Sequence, residues 1–445
     1  MSDPDPLHAL LTSRDRRFDG RFVVAVTTTR VYCRPSCPAP MPKPAHLRRF
    51  PSPAAAQQNG YRACKRCRPD AAPGSPDWNV RADVAGRAMR LIADGLVDRE
   101  GVTGLAARLG YGERQLHRHL VAELGAGPQA LARARRAQAA RELLESTDLA
   151  AADVAFAAGF ASVRQFNETV RRLYGTTPTA LRAARRGRSA PGATVELRLA
   201  YRPPFDAAAV FGYLAARALP GVEEGGPGFH RRSLRLPYGT GVATLRDGGG
   251  HVRCELLLDD MRDLAAAVRR CRALLDLDAD PLEIGETLGG DPVLAPLVAA
   301  RPGLRVPGHP DPGELALRLV ARSPERLVER FGTPLREPAG TVTHVFPSPE
   351  ALAEADTEVI PLARALASGQ VVLDSGVDRD EAERRLAAVP GVDVWTARHV
   401  RMRALADPDV WPPSVGLAEE ISGRWRPWRS YALHHLWAAR LRVVA

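Results

Sequence analysis

Four textures of apolar and polar positions follow one another along the chain. Residues 1–75 hold a single strand-like apolar run, at 22–29, among loops rich in proline and arginine. That is too little apolar surface for an independent core, so this segment needs a staple. Residues 79–186 read differently: alanine and leucine recur at helical spacing in short stretches that glycine and proline stop, which predicts a set of short helices. From 195 the period drops to two. Residues 195–201, 233–236 and 252–258 alternate apolar and polar positions between glycine-rich turns, and 205–217 and 261–275 return to helical spacing. This pattern predicts a small α+β domain ending near residue 280. The remainder, to 445, is again helical with proline and glycine breaks.

The expected fold class is therefore multidomain, mainly α with α+β parts, divided as 1–75, 79–186, 195–284 and 285–445, with linkers at 69–77 and 187–194. A chain of 445 residues fits two to four domains. Inside the second block Leu105-Ala106-(x3)-Gly110-Tyr111 recurs 49 residues later as Val154-Ala155-(x3)-Gly159-Phe160. Each copy closes on Gly-x-x-Pro, at Gly125 to Pro128 and Gly175 to Pro178. A helical unit has been duplicated.

Charge sharpens the division. Residues 1–188 carry 31 basic against 17 acidic side chains, whereas 189–445 carry 31 against 34. The whole basic excess lies in the first two-fifths, which points to a polyanionic partner there, most simply nucleic acid. The composition is that of an ordinary globular protein. It has no run of about 18 apolar residues and no basic-then-apolar leader, so secretion and membrane spanning are not expected.

Six cysteines do not make a disulfide scaffold, and a reducing cytoplasm is the expected location. Cys254 and Cys271 stand apart as buried thiols. The other four form Cys33-(x3)-Cys37-(x26)-Cys64-(x2)-Cys67. Two short-spaced thiol pairs separated by a few tens of residues suit a tetrahedral site for one Zn²⁺ per chain, and in a core-poor segment zinc supplies much of the folding free energy.

The flanking residues, Val31-Tyr32-Cys33-Arg34-Pro35-Ser36-Cys37 and Gly60-Tyr61-Arg62-Ala63-Cys64-Lys65-Arg66-Cys67-Arg68-Pro69-Asp70, resemble the N-terminal domain of the Ada family. The resemblance spans roughly residues 5–72. It implies repair of DNA methylphosphotriesters, with Cys33 as the methyl acceptor. Four thiolates around Zn²⁺ leave a net charge of about −2, electron-rich sulfur that is a competent nucleophile at neutral pH. Methylating one sulfur removes a negative charge and with it repulsion from DNA phosphates. Arg34, Arg62, Lys65, Arg66 and Arg68 surround the ligands as candidates for holding the DNA backbone.

Residues 79–186 resemble the double helix-turn-helix domain of AraC-type activators, with the Ala-x3-Gly turns, apolar Leu116 and Phe166 and both Gly-x-x-Pro closures in place. Recognition helices are expected at 113–124 and 162–174, each entering a major groove. Candidate base-reading residues are Arg114, Gln115, His117 and Arg118 in the first, and Arg164, Gln165 and Asn167 in the second. Arg133, Arg135, Arg136, Arg171 and Arg172 face phosphates or water.

Residues 195–284, with Tyr201-Arg202-Pro203-Pro204-Phe205-Asp206 and Pro237-Tyr238-Gly239, resemble the N-terminal domain of AlkA-type 3-methyladenine DNA glycosylases. Beyond them Phe331-Gly332-Thr333-Pro334, Val389-Pro390-Gly391-Val392 and Trp425-Arg426-Pro427-Trp428-Arg429-Ser430-Tyr431 are similar to that family's helix-hairpin-helix domain. Three departures stand out. Asp393 replaces the second hairpin glycine, where a carboxylate repels phosphate and a β-carbon threatens the turn. Ser414 falls where the family's catalytic aspartate is expected, so no glycosylase catalytic Asp is assigned; Asp407, Asp409, Glu419 and Glu420 flank it. Three helical segments, at 319–330, 357–363 and 417–425, look shortened. Trp425, Trp428 and Trp437 either stack on a flipped base or pack the core.

Together these resemblances imply an alkylation-damage sensor and transcription activator fused to a glycosylase-family module. The expected partners are double-stranded DNA, with a methylated backbone and at promoter sites, and RNA polymerase. Two other readings are a bifunctional enzyme that also excises alkylated purines, and a zinc-dependent transcription factor without methyl transfer. No Pro-Cys-His-Arg motif occurs, so reversal of O6-methylguanine is not expected.

Overall fold

The computed structural model describes residues 6–67, 69, 84–147, 149–183, 194–412 and 422–439. It divides into two compact units, Met1–Gly192 and Ala193–Ala445.

In the first unit helix α1 (Pro6–Ser13) precedes strands β1 (Val23–Val26), β2 (Val31–Cys33) and β3 (Leu47–Phe50), helix α2 (Pro53–Gln58) and strand β4 (Arg62–Ala63). The sheet order is β3-β1-β2-β4, and β2 pairs with β4 in parallel. Only β1 was visible as a run of apolar residues. The other strands are two to four residues long, too short for alternation to register, and β3 exposes both of its arginines. Leu11, Phe22 and Val24 form the small core of this sheet.

The duplicated helices follow as α3 (Val84–Ala93), α4 (Leu96–Leu109), α5 (Glu113–Leu124), α6 (Pro128–Ser146), α7 (Ala151–Ala157), α8 (Val163–Tyr174) and α9 (Pro178–Ala183). α4 is broken at Gly101. Gly110 (φ 76°) and Gly159 (φ 84°) make the sharp turns before α5 and α8 in a left-handed conformation that side chains with a Cβ resist. Leu116, Leu120 and Leu124, one helical turn apart, are fully buried against Leu91, Leu105 and Leu131. Phe166, Val170 and Leu173 bury the matching face of α8.

In the second unit strands β5 (Thr194–Leu199), β6 (Glu223–Gly226), β7 (Phe229–Arg235), β8 (Thr240–Asp247) and β9 (Val252–Leu258) form an antiparallel sheet of order β5-β9-β8-β7-β6, with α10 (Ala207–Ala215) between β5 and β6. β5 alternates buried and exposed positions as its sequence predicts. β8 does not, being buried at five consecutive positions. One reason is an unanticipated hairpin, β10 (Thr333–Ala339) and β11 (Val342–Val345), whose Leu335, Val342 and Val345 pack on Val242 of β8. The helices are α11 (Leu264–Leu274), α12 (Pro281–Leu288), α13 (Ala295–Ala300), α14 (Pro312–Val320), α15 (Pro324–Phe331), α16 (Pro349–Ala353), α17 (Ile360–Ala367), α18 (Arg379–Ala387), α19 (Val394–Arg403) and α20 (Arg429–Ala438). One hydrophobic core links Leu219 and Val222 to Leu315, Phe346, Leu362 and Val400, and so joins the α+β and helical parts.

A buried ionic cluster crosses the same junction. Arg232 of β7, 1% exposed, donates to Glu223 Oε1 at 2.7 Å and to both oxygens of Glu314 at 2.8 and 3.0 Å. Arg318 bridges the same two carboxylates at 3.1 Å, and His309 Nε2 lies 3.5 Å from Glu314. Burial alone would raise both carboxyls. The two guanidiniums overcome it, holding Glu223 down at about 2 and Glu314 well below the usual carboxylate range. Glu223, His309 and Glu314 approach metal-ligand spacing, but the Arg232 guanidinium fills the space among them.

Candidate metal centre and nucleic-acid interface

The parallel β2–β4 pairing builds the cysteine centre. Val31 stands beside Arg62 and Tyr32 beside Ala63, so the chain delivers Cys33 and Cys64 side by side, and Cys64 N–H donates to the Tyr32 carbonyl at 3.0 Å. Cys37 follows on a turn closed by its N–H to the Arg34 carbonyl at 3.1 Å. The Sγ atoms of Cys33, Cys37, Cys64 and Cys67 all lie within 4.8 Å of one another, and none is in a disulfide. Tetrahedral Zn–S bonds of ~2.3 Å need sulfurs ~3.8 Å apart, which this cluster can supply. Without a cation the sulfurs cannot all ionise: the hydrogen bonds that the Cys33 thiol donates to Cys37 and Cys67, together with burial, push it far up. A divalent ion removes that conflict. Cys37 and Cys67 are buried, whereas Cys33 and Cys64 are partly exposed.

One supporting residue escaped the sequence reading. Buried Asp19 accepts from Ser36 N–H at 3.0 Å and Ser36 Oγ at 2.6 Å, and its carboxylate lies 3.5 Å from Arg34 Nε. It braces the turn between Cys33 and Cys37 and ties down Arg34. No local motif marks an aspartate 17 residues from its partner. Lys65 and Arg66 are exposed beside the centre. Arg62 is exposed too, but its guanidinium lies against Gly175 at the end of α8. Arg68 lies outside the described residues.

α5 and α8 fall where the recognition helices were expected, and Ser162 caps α8 by accepting from Gln165 N–H at 3.2 Å. Arg114, Gln115 and Arg118 are exposed, with Arg114 and Arg118 opposite the Leu116–Leu120–Leu124 stripe. His117 is exposed but packs on Gly127. Arg164 and Gln165 are exposed and Asn167 is half-buried. The cap-to-cap register aligns Arg114-Gln115-Leu116 with Arg164-Gln165-Phe166, so both helices present the same Arg-Gln pair at the same turn.

In the second unit the hairpin between α18 and α19 keeps Gly391 at φ 87°, but Asp393 is extended at φ −88°. The anticipated clash of its β-carbon does not arise. Instead its carboxylate caps α19, accepting from Thr396 N–H at 2.7 Å, a bond that lowers its pKa. The helix end a phosphate would use is thus filled by the chain's own anion. Asp393→Ala is expected to cost about 1 kcal/mol in thermal unfolding. Asp393→Gly should cost only a few tenths of that scale while raising affinity for non-specific duplex, read by fluorescence anisotropy.

Two of the flanking carboxylates are engaged in ion pairs. Asp407 is buried and pairs with Arg401 at 2.7 Å, and Asp409 pairs with Arg429 at 2.6 Å and Arg426 at 2.8 Å. Trp425 and Trp428 are buried in the core, while Trp437 is half-buried against His434 and His399. Ser414, Glu419 and Glu420 lie outside the described residues. Among those described, no helix is long and apolar enough to cross a membrane.

A thiol-rich metal centre packed on a duplicated helix-turn-helix, followed by a sheet and a helical hairpin domain, defines a modular metal-binding protein. Family models match along its length: the metal binding domain of Ada at residues 7–70, a helix-turn-helix domain at 105–184 and the AlkA N-terminal domain at 196–311. The chain is 52% identical to the probable bifunctional transcriptional activator/DNA repair enzyme AlkA of Mycobacterium tuberculosis, over 98% of this chain and 96% of that one. It is 30% identical to DNA-3-methyladenine glycosylase 2 of Escherichia coli over 54% of this chain and 95% of that one. It is 33% identical to the bifunctional transcriptional activator/DNA repair enzyme Ada of E. coli over 36% of this chain and 44% of that one. The chain belongs to the family of bifunctional transcriptional activator/DNA repair enzymes that join an Ada-type metal-binding segment and helix-turn-helix domain to an AlkA-type module. Its four clustered cysteines are the zinc site of the Ada-type segment.

Proposed function

We propose that Cys33 accepts a methyl group from a DNA methylphosphotriester, once per molecule, and that the methylated chain binds promoter DNA and activates repair genes. What supports Cys33 is that a sulfur of the four-thiol centre sits at the end of β2, partly exposed, with Arg34 beside it and Lys65 and Arg66 on the adjoining turn. Bound Zn²⁺ keeps the four sulfurs deprotonated, so the nucleophile is present at neutral pH. A Cys33 lone pair forms the S–CH₃ bond as the O–CH₃ bond of the phosphotriester breaks. The phosphodiester leaves as an anion, and no proton moves. Asp19 holds the turn that presents the sulfur. The basic side chains steer the DNA backbone, and loss of one negative charge at the centre then strengthens its hold.

Arg114, Gln115 and Arg118 of α5, and Arg164, Gln165 and Asn167 of α8, read base edges in this scheme. RNA polymerase is the partner through which activation is exerted, and the reduced thiols suit the cytoplasm. The test is mass spectrometry of full-length chain after incubation with methylphosphotriester duplex. Wild type should gain one methyl, mapped to the Cys33 peptide, and Cys33→Ala none. Equal uptake by both would move the acceptor to Cys64, and no uptake by wild type would leave a zinc-dependent transcription factor without transfer chemistry.

The C-terminal module does not excise bases in this reading. Supporting it are the self-capped hairpin helix at Asp393 and the ion pairs that engage Asp407 and Asp409. Alkylated duplex should release no 3-methyladenine with the wild-type chain. Release at the rate of an active glycosylase would restore the bifunctional enzyme, and a Ser414→Asp variant alongside reports whether the carboxylate alone was lacking.

A further inference from the structure

The metal-binding segment touches both helices read above as DNA-reading, and at the same end of each. Ser52 is buried and its hydroxyl works twice: it accepts from Ala55 N–H at 3.1 Å, capping α2, and donates to the Leu124 carbonyl at 2.7 Å, one of the orphan carbonyls at the end of α5. Beside it Pro51 and Ala55 press on Gly125, the left-handed cap of α5. A β-carbon at Gly125 would come within 2.9 Å of Ala55 Cβ and 3.1 Å of Pro51 Cγ. Ala54 shares one core with Leu116, Leu120 and Leu124. At α8 the arrangement repeats with a different side chain. The Arg62 guanidinium meets Gly175, where a β-carbon would stand 2.9 Å from its Nη1. A cation there faces the negative end of the α8 dipole.

Both contacts lead back to the cysteines by short routes. Arg62 is two residues from Cys64. α2 is tied to β2 by Gln57 Nε2, which donates to the Tyr32 hydroxyl at 2.9 Å, and Tyr32 precedes Cys33. From Ser52 to Leu124 the chain spans 72 residues, so this is a long-range contact and not part of either helix's own turn.

We infer that the metal-binding segment is a clasp across the two helix-turn-helix units, that Ser52 and Arg62 are its positioning residues, and that it fixes the separation of the two half-sites the chain reads on DNA. The inference rests on α5 and α8 being the recognition helices. It gives Arg62 a place at the end of α8 rather than on a phosphate. Half-site separation in two-headed readers is set by the distance between their recognition helices, and here that distance is held at both ends by one small metal-stapled sheet.

The experiment uses full-length, zinc-loaded, methylated chain and a pool of random-sequence duplexes long enough for two major-groove half-sites. Wild type should enrich two half-sites at one separation. Ser52→Ala with Arg62→Gln should enrich the same half-site sequences over several separations, and Ser52→Thr should keep the single one. Amide hydrogen exchange supplies a readout free of DNA. Ser52→Ala should speed exchange at Gly125 roughly five- to tenfold, while its methyl uptake stays at the wild-type level. A single sharp separation in the double variant would overturn the clasp. So would a uniform loss of affinity across all sequences with a shallower salt dependence in Arg62→Gln, the mark of a phosphate contact. Should wild type enrich no paired half-sites, the reading of α5 and α8 fails. Exchange then decides alone, and unchanged protection at Gly125 and Gly175 in the double variant sinks the clasp.

Discussion

Stripped of zinc by a chelator, the chain should lose the fold of residues 22–67 while the second unit keeps its melting transition. The segment's buried apolar side chains are few and mostly small: Leu11, Phe22, Val23, Val24, Tyr32 and Tyr61 with a handful of alanines, on strands of two to four residues. Against that small apolar term, structural zinc contributes ~10–16 kcal/mol of apparent binding free energy in comparable peptides at neutral pH. Without the ion, Cys33 and its neighbours crowd sulfur against sulfur, and the β2–β4 pairing loses what holds its two residue pairs together. Amide exchange at Val24 and Ala25 should rise from strongly protected to nearly free, and Cys67→Ser should do the same with zinc present. Cys254→Ser and Cys271→Ser should leave zinc content untouched, since both thiols are buried in the second unit. Retained protection at Val24 in excess chelator would show that the sheet stands without metal.

The other large effect is expected at Arg232. Replacing it with methionine strands Glu223 and Glu314 in an interior where each is about as buried as Arg232 itself. Removing one partner of a buried ion pair costs ~3–5 kcal/mol, because the remaining charge stays desolvated. For a unit of this size that lowers the melting temperature by about 10 °C. The pH dependence should invert as well. In the wild type both carboxyls have depressed folded-state pKa values, Glu223 at about 2. Their contribution is therefore present above the ordinary carboxylate range and fades as pH falls from there towards 2. In Arg232→Met desolvation dominates, the pKa values rise, and mild acid relieves the strain by protonating the stranded groups. Melting followed from pH 7 to 4 should thus show the gap between variant and wild type closing. A gap that stays constant would mean Arg318 alone neutralises both carboxylates.

The cysteine quartet and the positions of helices α5 and α8 could be read from local spacing, because a metal site and a helix turn are both encoded within a few residues. Asp19 could not. Its value lies in reaching Ser36 across a loop, and an aspartate among prolines and arginines carries no mark of that. Ser52 and Arg62 show the same limit: each looks like a turn residue or a surface cation until α5 and α8 are folded beside it. The sheet strands β2, β3 and β4 are too short to show a period, and β8 hides its alternation because the β10–β11 hairpin covers the face that would otherwise be polar. At Asp393 sequence reasoning identified the departure but misjudged its geometry. The backbone there is extended, so the β-carbon is tolerated and the carboxylate turns inward to the helix.

The order of these parts along the chain sets an order in time. Synthesis releases Cys67 before the first residue of α3, so all four sulfurs are out and able to take metal while α5 and α8 are still unmade. The surface on which Leu124 and Gly175 come to rest is finished first, and the later helices close on a template already set. In a cell short of zinc the newly made helices would meet an unformed partner, so the yield of correctly folded first unit is expected to depend on zinc being available as the chain is made.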